Sequence, residues 1–294
     1  FVSANIPCLG IEPTASTAAA AEELEIPVVR EFFGSKLAQK LAAEEKSADL
    51  IIGNNVYAHV PDINDFTKGL KTLLKLDGVV TLEFPHLLRL IEHTQFDTAY
   101  HEHFSYLSLN TVCSIFSKAG LRVWDVEELD THGGSLRVYG CHDDSTRHNS
   151  SSVSQILEQE AKNGLLNISI YSDFQGRAEK IKNSLISFLI EQKNARKSVA
   201  AYGAAAKGNT ILNYAGIGPD LLPYVCDSAP SKQGKYMPGS HIPILSPDAL
   251  KEKKPEYIII LPWNITKEIV DEYSYVKEWG AKFVTAVPEL RVIG

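Results

Sequence analysis

Short apolar runs that stop at an acid, an asparagine or a proline alternate with stretches whose apolar residues recur every three or four positions. "PCLGIEP" (7–13) is followed by "TASTAAAAEELE", "IPVVREFF" by "SKLAQKLAAEEK", and "ADLIIGNNVYAHV" by "INDFTKGLKTLLKLDG" and then "VVTLEFP". A short run that is apolar throughout reads as a strand covered on both faces, and strands joined through helices run parallel. Repetition of this unit requires an α/β fold with a parallel, doubly wound sheet. The same signals predict Thr14 or Ser16 as the first N-cap and a helix closing at Asp77-Gly78.

Past Phe104 the pattern changes. "SLNTVCSIFSKAG" predicts a helix capped by Gly120, and "LRVWDVEEL" and "SLRVYGCH" predict two strands joined by "DTHGG" as a hairpin or edge pair. Residues 143–195 are polar and helical without a dense core pattern, and read as a connector. "SVAAYGAAAKGNTILNYAGI" opens a second strand–turn–helix series, with further strands at "LPYVCD", "KPEYIIILPWN" and "KFVTAVPEL". The expected domains are 1–142, a helical connector 143–195, and a smaller α/β domain 196–294.

Composition narrows the function. A net charge of −7 over 294 residues with no basic stripe argues against a nucleic-acid partner. No apolar run is long enough for a membrane span. Four scattered cysteines form neither a zinc ligand set nor a disulfide framework, which fits reduced thiols in a cytoplasmic protein. The opening "FVSANIPCLGIEP" has no signal-peptide pattern.

The chemistry sits where the strands stop. Glu12 ends the first visible strand, where an acid can accept both hydroxyls of a ribose. The strand and glycine-rich turn that should precede its helix are missing, so the chain is expected to be the remainder of a longer protein, weak in cofactor binding and prone to pairing as a dimer through the open edge. "REFFG" places Phe32 and Phe33 where an adenine could lie or where a core could close. "GNNVYAH" puts Asn54, Asn55 and His59 after a buried strand. "AYGAAAKGNT" is a small-residue turn with Lys207, suited either to a phosphate or to close helix–strand packing. The densest cluster is "FDTAYHEHFSYLSL", with Tyr100, His101, Glu102 and His103 between Phe96 and Phe104. Metal ligation would need a third ligand that no motif supplies. An imidazole beside a carboxylate and a phenol suits proton transfer.

These segments, with "HGGSLRVY", "YAGIGPDLL", "DSAPSKQGKYMPGSHIPI" and "PWN", resemble the S-adenosylmethionine-dependent C-methyltransferases that act on nucleotide-linked keto-deoxysugars. The resemblance spans the chain, and its strongest strings are Y-x-E-H-F and the "SKQGKYMPGSHIPI" run. It implies a Rossmann-like methyltransferase domain followed by a second, smaller Rossmann-like domain, with a zinc-binding domain ahead of residue 1 as the only place for metal. It implies His103 as the base, Glu102 as its support, and Tyr100 and His59 as partners of the developing enolate. Glu12 would hold the cofactor ribose, Glu31 or the Phe32 backbone the adenine edge, and Asn54 and Asn55 the methionine part. Glu83, His132 and Lys207 would touch a nucleotide-sugar substrate. The alternatives are an O- or N-methyltransferase of a small molecule, or a nucleotide-sugar-binding module without methyl transfer.

Overall fold

Strand and helix alternate as expected in the computed structural model, which describes residues 1–294. The first half of the chain forms β1 (Gly10–Ile11), α1 (Ala15–Glu22), β2 (Val28–Val29), α2 (Ser35–Ala43), β3 (Ala48–Asn54), α3 (Ile63–Leu73), β4 (Leu74–Pro85), α4 (Leu87–Glu92), α5 (Leu109–Ala119), β5 (Leu121–Leu129) and β6 (Ser135–His142). Three helices follow: α6 (Ser151–Lys162), α7 (Ser169–Ser172) and α8 (Phe174–Asn194). The last stretch holds β7 (Val199–Tyr202), α9 (Ala206–Ala215), β8 (Val225–Cys226), β9 (Ile244–Leu245), α10 (Asp248–Lys253), β10 (Tyr257–Ile260), α11 (Thr266–Glu272), β11 (Lys282–Thr285) and β12 (Arg291–Ile293). None of these helices is long and apolar enough to cross a membrane, and all four cysteines are free.

The chain divides into two units, one built from 1–84, 104–129 and 136–159, the other from 85–103, 130–135 and 160–294. This differs from the boundaries at 142 and 195 expected from sequence. The chain leaves the first unit at residue 85 to contribute the segment that ends at His103, and again for the "DTHGGS" loop.

In the first unit β1 and β2 pair in parallel as a sheet of their own, and a four-stranded sheet runs in the order β3-β4-β6-β5 with β3 parallel to β4. Helix α2 bridges the two sheets. Its Leu37, Ala38 and Leu41 pack with Leu73 against Ile11 of β1, Val29 of β2 and Ile51 of β3. Strand β3 pairs on one side only, and Leu50 and Ile52 are 44% and 47% exposed. The other face of the sheet closes over Tyr57, Phe84 and Phe116, all fully buried, with ring centroids 6.2 and 6.3 Å from Tyr57. The Gly120 cap was read correctly: it closes α5 at φ 77°. The structure adds two N-caps, the Asp62 side chain accepting the Asp65 amide of α3 at 2.9 Å and Ser108 Oγ accepting the Thr111 amide of α5 at 3.1 Å. One boundary differs. The helix expected to run to Asp77-Gly78 stops at Leu73, because Leu74 already pairs with Ala48 of β3 and its carbonyl accepts from His142 Nε2 at 3.1 Å. Sheet pairing overrides the helical spacing of "LLKL".

The second unit carries a six-stranded sheet in the order β12-β11-β10-β7-β8-β9, parallel except for β12. Alternate residues of each strand face opposite layers. Val199 and Ala201 of β7, Ile259 of β10 and Val284 of β11 face the layer of α8 and α9. Ala200 and Tyr202, Ile258 and Ile260, and Phe283 face Leu250 of α10 and Ile269 of α11. Covering both faces of a parallel sheet makes this unit doubly wound. Residues 143–195 are helical but not a bare connector. Val153 and Ile156 of α6 enter the first unit's core, and Ile181, Leu185, Phe188 and Leu189 of α8 enter the second's. The polar residues between them hid a stripe at helical spacing. Leu185→Ala is therefore expected to destabilise the second unit by about 2–5 kcal/mol in urea unfolding. A loss below ~0.5 kcal/mol would return α8 to the role of a linker.

Candidate active site

Parallel strands carry their loops for chemistry at the carboxyl ends, and seven of the expected residues of the first unit lie at or just past such ends. Glu12 directly follows β1, half-buried, and its Oε1 accepts the Thr14 amide at 2.7 Å. Thr14 is the N-cap of α1, as one of the two expected positions, but no side chain makes the capping hydrogen bond. Glu31 and Phe32 follow β2. Glu31 pairs with Lys40 at 3.0 Å, and Phe32 is 84% exposed, while Phe33 goes to the core edge-on to Phe66 at 5.1 Å. Asn54 ends β3 and Asn55 turns the chain with φ 55°, both exposed. His59 lies half-buried just beyond, next to Ala58, whose carbonyl accepts the Phe104 and Ser105 amides at 2.9 and 3.1 Å. Glu83, near the end of β4, is buried and paired with Arg137 Nη2 of β6 at 2.9 Å. Its charge is balanced inside the protein rather than offered to a ligand.

The second unit holds the proton-transfer candidates. Residues 96–98 form a turn of 3₁₀ helix. The chain then bends, with the His103 amide donating to the Tyr100 carbonyl at 3.1 Å. The bend lays Tyr100 against the His103 ring at a centroid distance of 4.4 Å and 34° between planes. It also brings His103 Nδ1 to the Thr98 carbonyl oxygen at 2.9 Å. A carbonyl can only accept, so Nδ1 carries the hydrogen and Nε2 becomes the basic nitrogen. His101 and Glu102 are exposed, and Glu102 makes no hydrogen bond. The orienting group for the imidazole is thus a backbone carbonyl, where the sequence pointed to Glu102. Of the two phenylalanines that flank the cluster, Phe96 is buried and Phe104 is 60% exposed.

The loop that joins β5 to β6 is fixed just as closely. Ser135 Oγ donates to the Thr131 carbonyl at 3.0 Å, Lys207 Nζ to that of His132 at 3.2 Å, Gln95 Nε2 to that of Gly133 at 2.7 Å, and the His86 amide to that of Gly134 at 3.0 Å. His132 is held at φ 58° with its residue exposed. A non-glycine residue in this region costs about 1 kcal/mol or more. Gly133 lies at φ 88°, and any side chain there would run into the Trp263 ring.

Beneath the loop is a cluster that sequence reasoning missed. Asp97 is fully buried. Its Oδ2 accepts the Trp263 indole N–H at 2.7 Å, while Oδ1 has no partner. Lys207 Nζ stands 4.4 Å from the Trp263 ring centre and also donates to Asn264 Oδ1 at 3.1 Å. Burial pushes the Asp97 carboxyl up to about 6, against the pull of Lys207 and of the indole bond. Burial lowers the Lys207 ammonium, and Asp97 partly restores it. The ammonium expected to meet a phosphate is thus engaged with a loop carbonyl and an amide. Another buried pair, His86 Nε2 and Glu160 Oε1 at 2.8 Å, lies at the start of α4. No group of three or more His, Cys, Asp or Glu side chains is placed to hold a metal ion.

Residues 130–288 match the family described as C-methyltransferase C-terminal domain, and residues 5–126 match the one described as methyltransferase domain. The chain is similar to C-methyltransferase NovU of Streptomyces niveus, with 34% identity over 293 residues, spanning 100% of this chain and 70% of that protein. Among solved structures it is similar to a protein of Pyrococcus horikoshii OT3, at 15% identity over 48% of this chain and 74% of that one, with a TM-score of 0.39. It is also similar to an S-adenosylmethionine-dependent methyltransferase of Anabaena variabilis, at 14% identity over 48% and 71% of the two chains, again with a TM-score of 0.39.

The buried acid leaves a signature in stability. Unfolded, Asp97 titrates near its ordinary 3.8, and folded near 6. Between these values the folded state keeps a proton that the unfolded state has released, so its contribution to stability falls as pH rises through that window and is level above it. In Asp97→Asn this dependence is absent. The stability of the variant relative to the parent should therefore climb by roughly 2–3 kcal/mol from pH 4 to 7 in urea unfolding. A gap that does not change with pH would place Asp97 among ordinary solvated carboxylates.

Proposed function

Because the chain belongs to the C-methyltransferase family, and is an S-adenosylmethionine-dependent methyltransferase, we propose that it methylates a carbon beside the ketone of a nucleotide-linked keto-deoxysugar, with His103 removing the proton. The observation that carries this reading is the bond from His103 Nδ1 to the Thr98 carbonyl. It selects the tautomer whose Nε2 can take a proton, as a general base must. An imidazole base also serves O- or N-methylation, so the preference for carbon rests on the C-methyltransferase family.

The first unit's strand ends fit the cofactor. Phe32 is an aromatic ring with no core role at the end of β2, beside the Glu31 carboxylate, and Glu12 ends the neighbouring strand. Glu12 would hold the ribose, Glu31 and Phe32 the adenine, and Asn54 and Asn55 the methionine part. When bound, the cofactor supplies an electrophilic methyl group. The protein's own part is to make and hold the carbanion. His103 takes the α-proton on Nε2, and the Thr98 carbonyl accepts from the Nδ1–H of the imidazolium that results. Tyr100, stacked on the ring, and His59 are the assigned donors to the enolate oxygen. His132, presented outward by a fixed loop, is assigned to the sugar nucleotide, and the exposed Glu102 contributes charge near the site. Cytoplasmic location follows from this substrate class and is consistent with four free cysteines.

His103→Asn is expected to lower kcat by about 10²–10⁴-fold and to leave cofactor affinity within about twofold. Glu102→Gln should cost less than about tenfold, as an exposed charge without a hydrogen-bond partner. The direct measurement is deuterium exchange of the substrate α-proton by NMR without cofactor. If the His103 variant exchanges as fast as the parent, His103 is not the base. Glu12→Gln should instead weaken binding of the demethylated cofactor in calorimetry, by about tenfold if one ribose hydroxyl bond is lost, with proton exchange intact. A panel of nucleotide keto-sugars incubated with isotopically labelled cofactor, read by mass spectrometry, identifies the sugar. Methyl label found only on oxygen or nitrogen would overturn the carbon assignment.

A further inference from the structure

The His103 tautomer depends on where the Thr98 carbonyl points, and that carbonyl belongs to a short turn with little rigidity of its own. One side of the turn is held by Thr98 Oγ1, which donates to the Gln95 carbonyl at 2.7 Å, while the Gln95 amide reaches Gly133. The other side is held by Asp97, whose Oδ2 takes the Trp263 N–H. Trp263 is itself fixed. Its backbone amide donates to Leu261 at 3.0 Å, its ring lies under the Lys207 ammonium, and it fills the space beside Gly133. We propose that Trp263 and Asp97 are positioning residues for His103, their buried hydrogen bond fixing the Phe96–Thr98 turn whose last carbonyl selects the imidazole tautomer. The kinetic part of this proposal rests on His103 being the base, but the structural part does not.

The energetics favour a directional role over a purely stabilising one. A carboxylate with one oxygen unpartnered and a lysine stripped of water both cost free energy, and an apolar pair of the same shape would hold the fold as well or better. An apolar pair cannot fix rotation of the turn about its own axis, whereas a bond of 2.7 Å with a rigid indole can. Residues 96–98 supply both ends of this arrangement within three positions, the side chain bonding to Trp263 and the carbonyl bonding to His103.

The test is made on the full-length enzyme carrying ¹⁵N-histidine, with the imidazole nitrogens read by long-range proton–nitrogen correlation and His103 identified by its loss in His103→Asn. The parent is expected to show Nδ1 protonated and Nε2 unprotonated at mildly alkaline pH. Trp263→Phe, which keeps a ring and deletes the donor, should show both tautomers. Its kcat for α-proton exchange should fall roughly 10–100-fold with KM near the parent's, the size expected of misplacement by about 1 Å. Asp97→Asn retains an acceptor oxygen and should restore the single tautomer. Should Trp263→Phe not fold, the double variant Asp97→Leu/Trp263→Phe removes both partners of the bond, while Lys207 keeps its hydrogen bonds to the His132 carbonyl and Asn264 Oδ1. It too should lose the single tautomer. A Trp263→Phe or double variant that folds and keeps the parent tautomer overturns the proposal. If the tautomer changes while His103→Asn still exchanges the α-proton at the parent rate, the positioning stands and the base assignment falls. If His103→Asn abolishes exchange while Trp263→Phe alters neither exchange nor tautomer, the base stands and the positioning falls.

Discussion

Four consecutive carbonyls, those of Thr131 to Gly134, each accept a hydrogen bond from a different donor. Thr131 and His132 are exposed and Gly133 and Gly134 half-buried, yet each carbonyl is bonded within the protein, by Ser135, Lys207, Gln95 and the His86 amide. Satisfying one short loop thereby ties together the end of β4, the segment that leads to His103 and the first turn of α9. The left-handed backbone at His132 is affordable because so many bonds determine it. A loop fixed in this way presents its imidazole without rearrangement.

The doubly wound order and the residues at the strand ends could be read from the sequence because both follow from local rules. Glu12, Asn54 and Asn55 come where apolar runs stop, and Tyr100, Glu102 and His103 form a cluster too dense in titratable groups for an ordinary loop. What stayed hidden is non-local or belongs to the backbone. Nothing in residue type announces that the Thr98 carbonyl, and not the Glu102 carboxylate, meets His103. Asp97 looks like any acid until Trp263 is brought to it. Leu74 keeps helical spacing in the sequence and joins a strand because Ala48 stands beside it. The apolar stripe of α8 was masked by the lysines and glutamates that fill its outer face. Lys207 had the spacing of a phosphate ligand and became an internal strut.

The residues assigned to the cofactor do not share one hydrogen-bonded sheet. Glu12, Glu31 and Phe32 follow the β1–β2 pair, whereas Asn54 and Asn55 follow β3 in the four-stranded sheet. Their relative placement rests on side-chain packing under α2, through Leu37, Ala38 and Leu41. Packing of this kind tolerates small shifts that a ladder of backbone bonds would forbid. The half of the proposed cofactor site with the exposed aromatic is thus the softer half, and its geometry is set by the apolar contacts of a nine-residue helix.

The bond between Trp263 and Asp97 spans 166 positions of the chain. At ordinary synthesis rates of about 5–20 residues per second, the acid waits roughly 8–30 s in a nascent chain before its indole partner exists. During that interval residues 85–103 have no complete unit to join, because most of their unit is encoded after residue 160. The segment that ends at His103 is made early and placed late. For this protein, placing the His103 imidazole is a question of timing on the ribosome as much as of contacts in the finished fold.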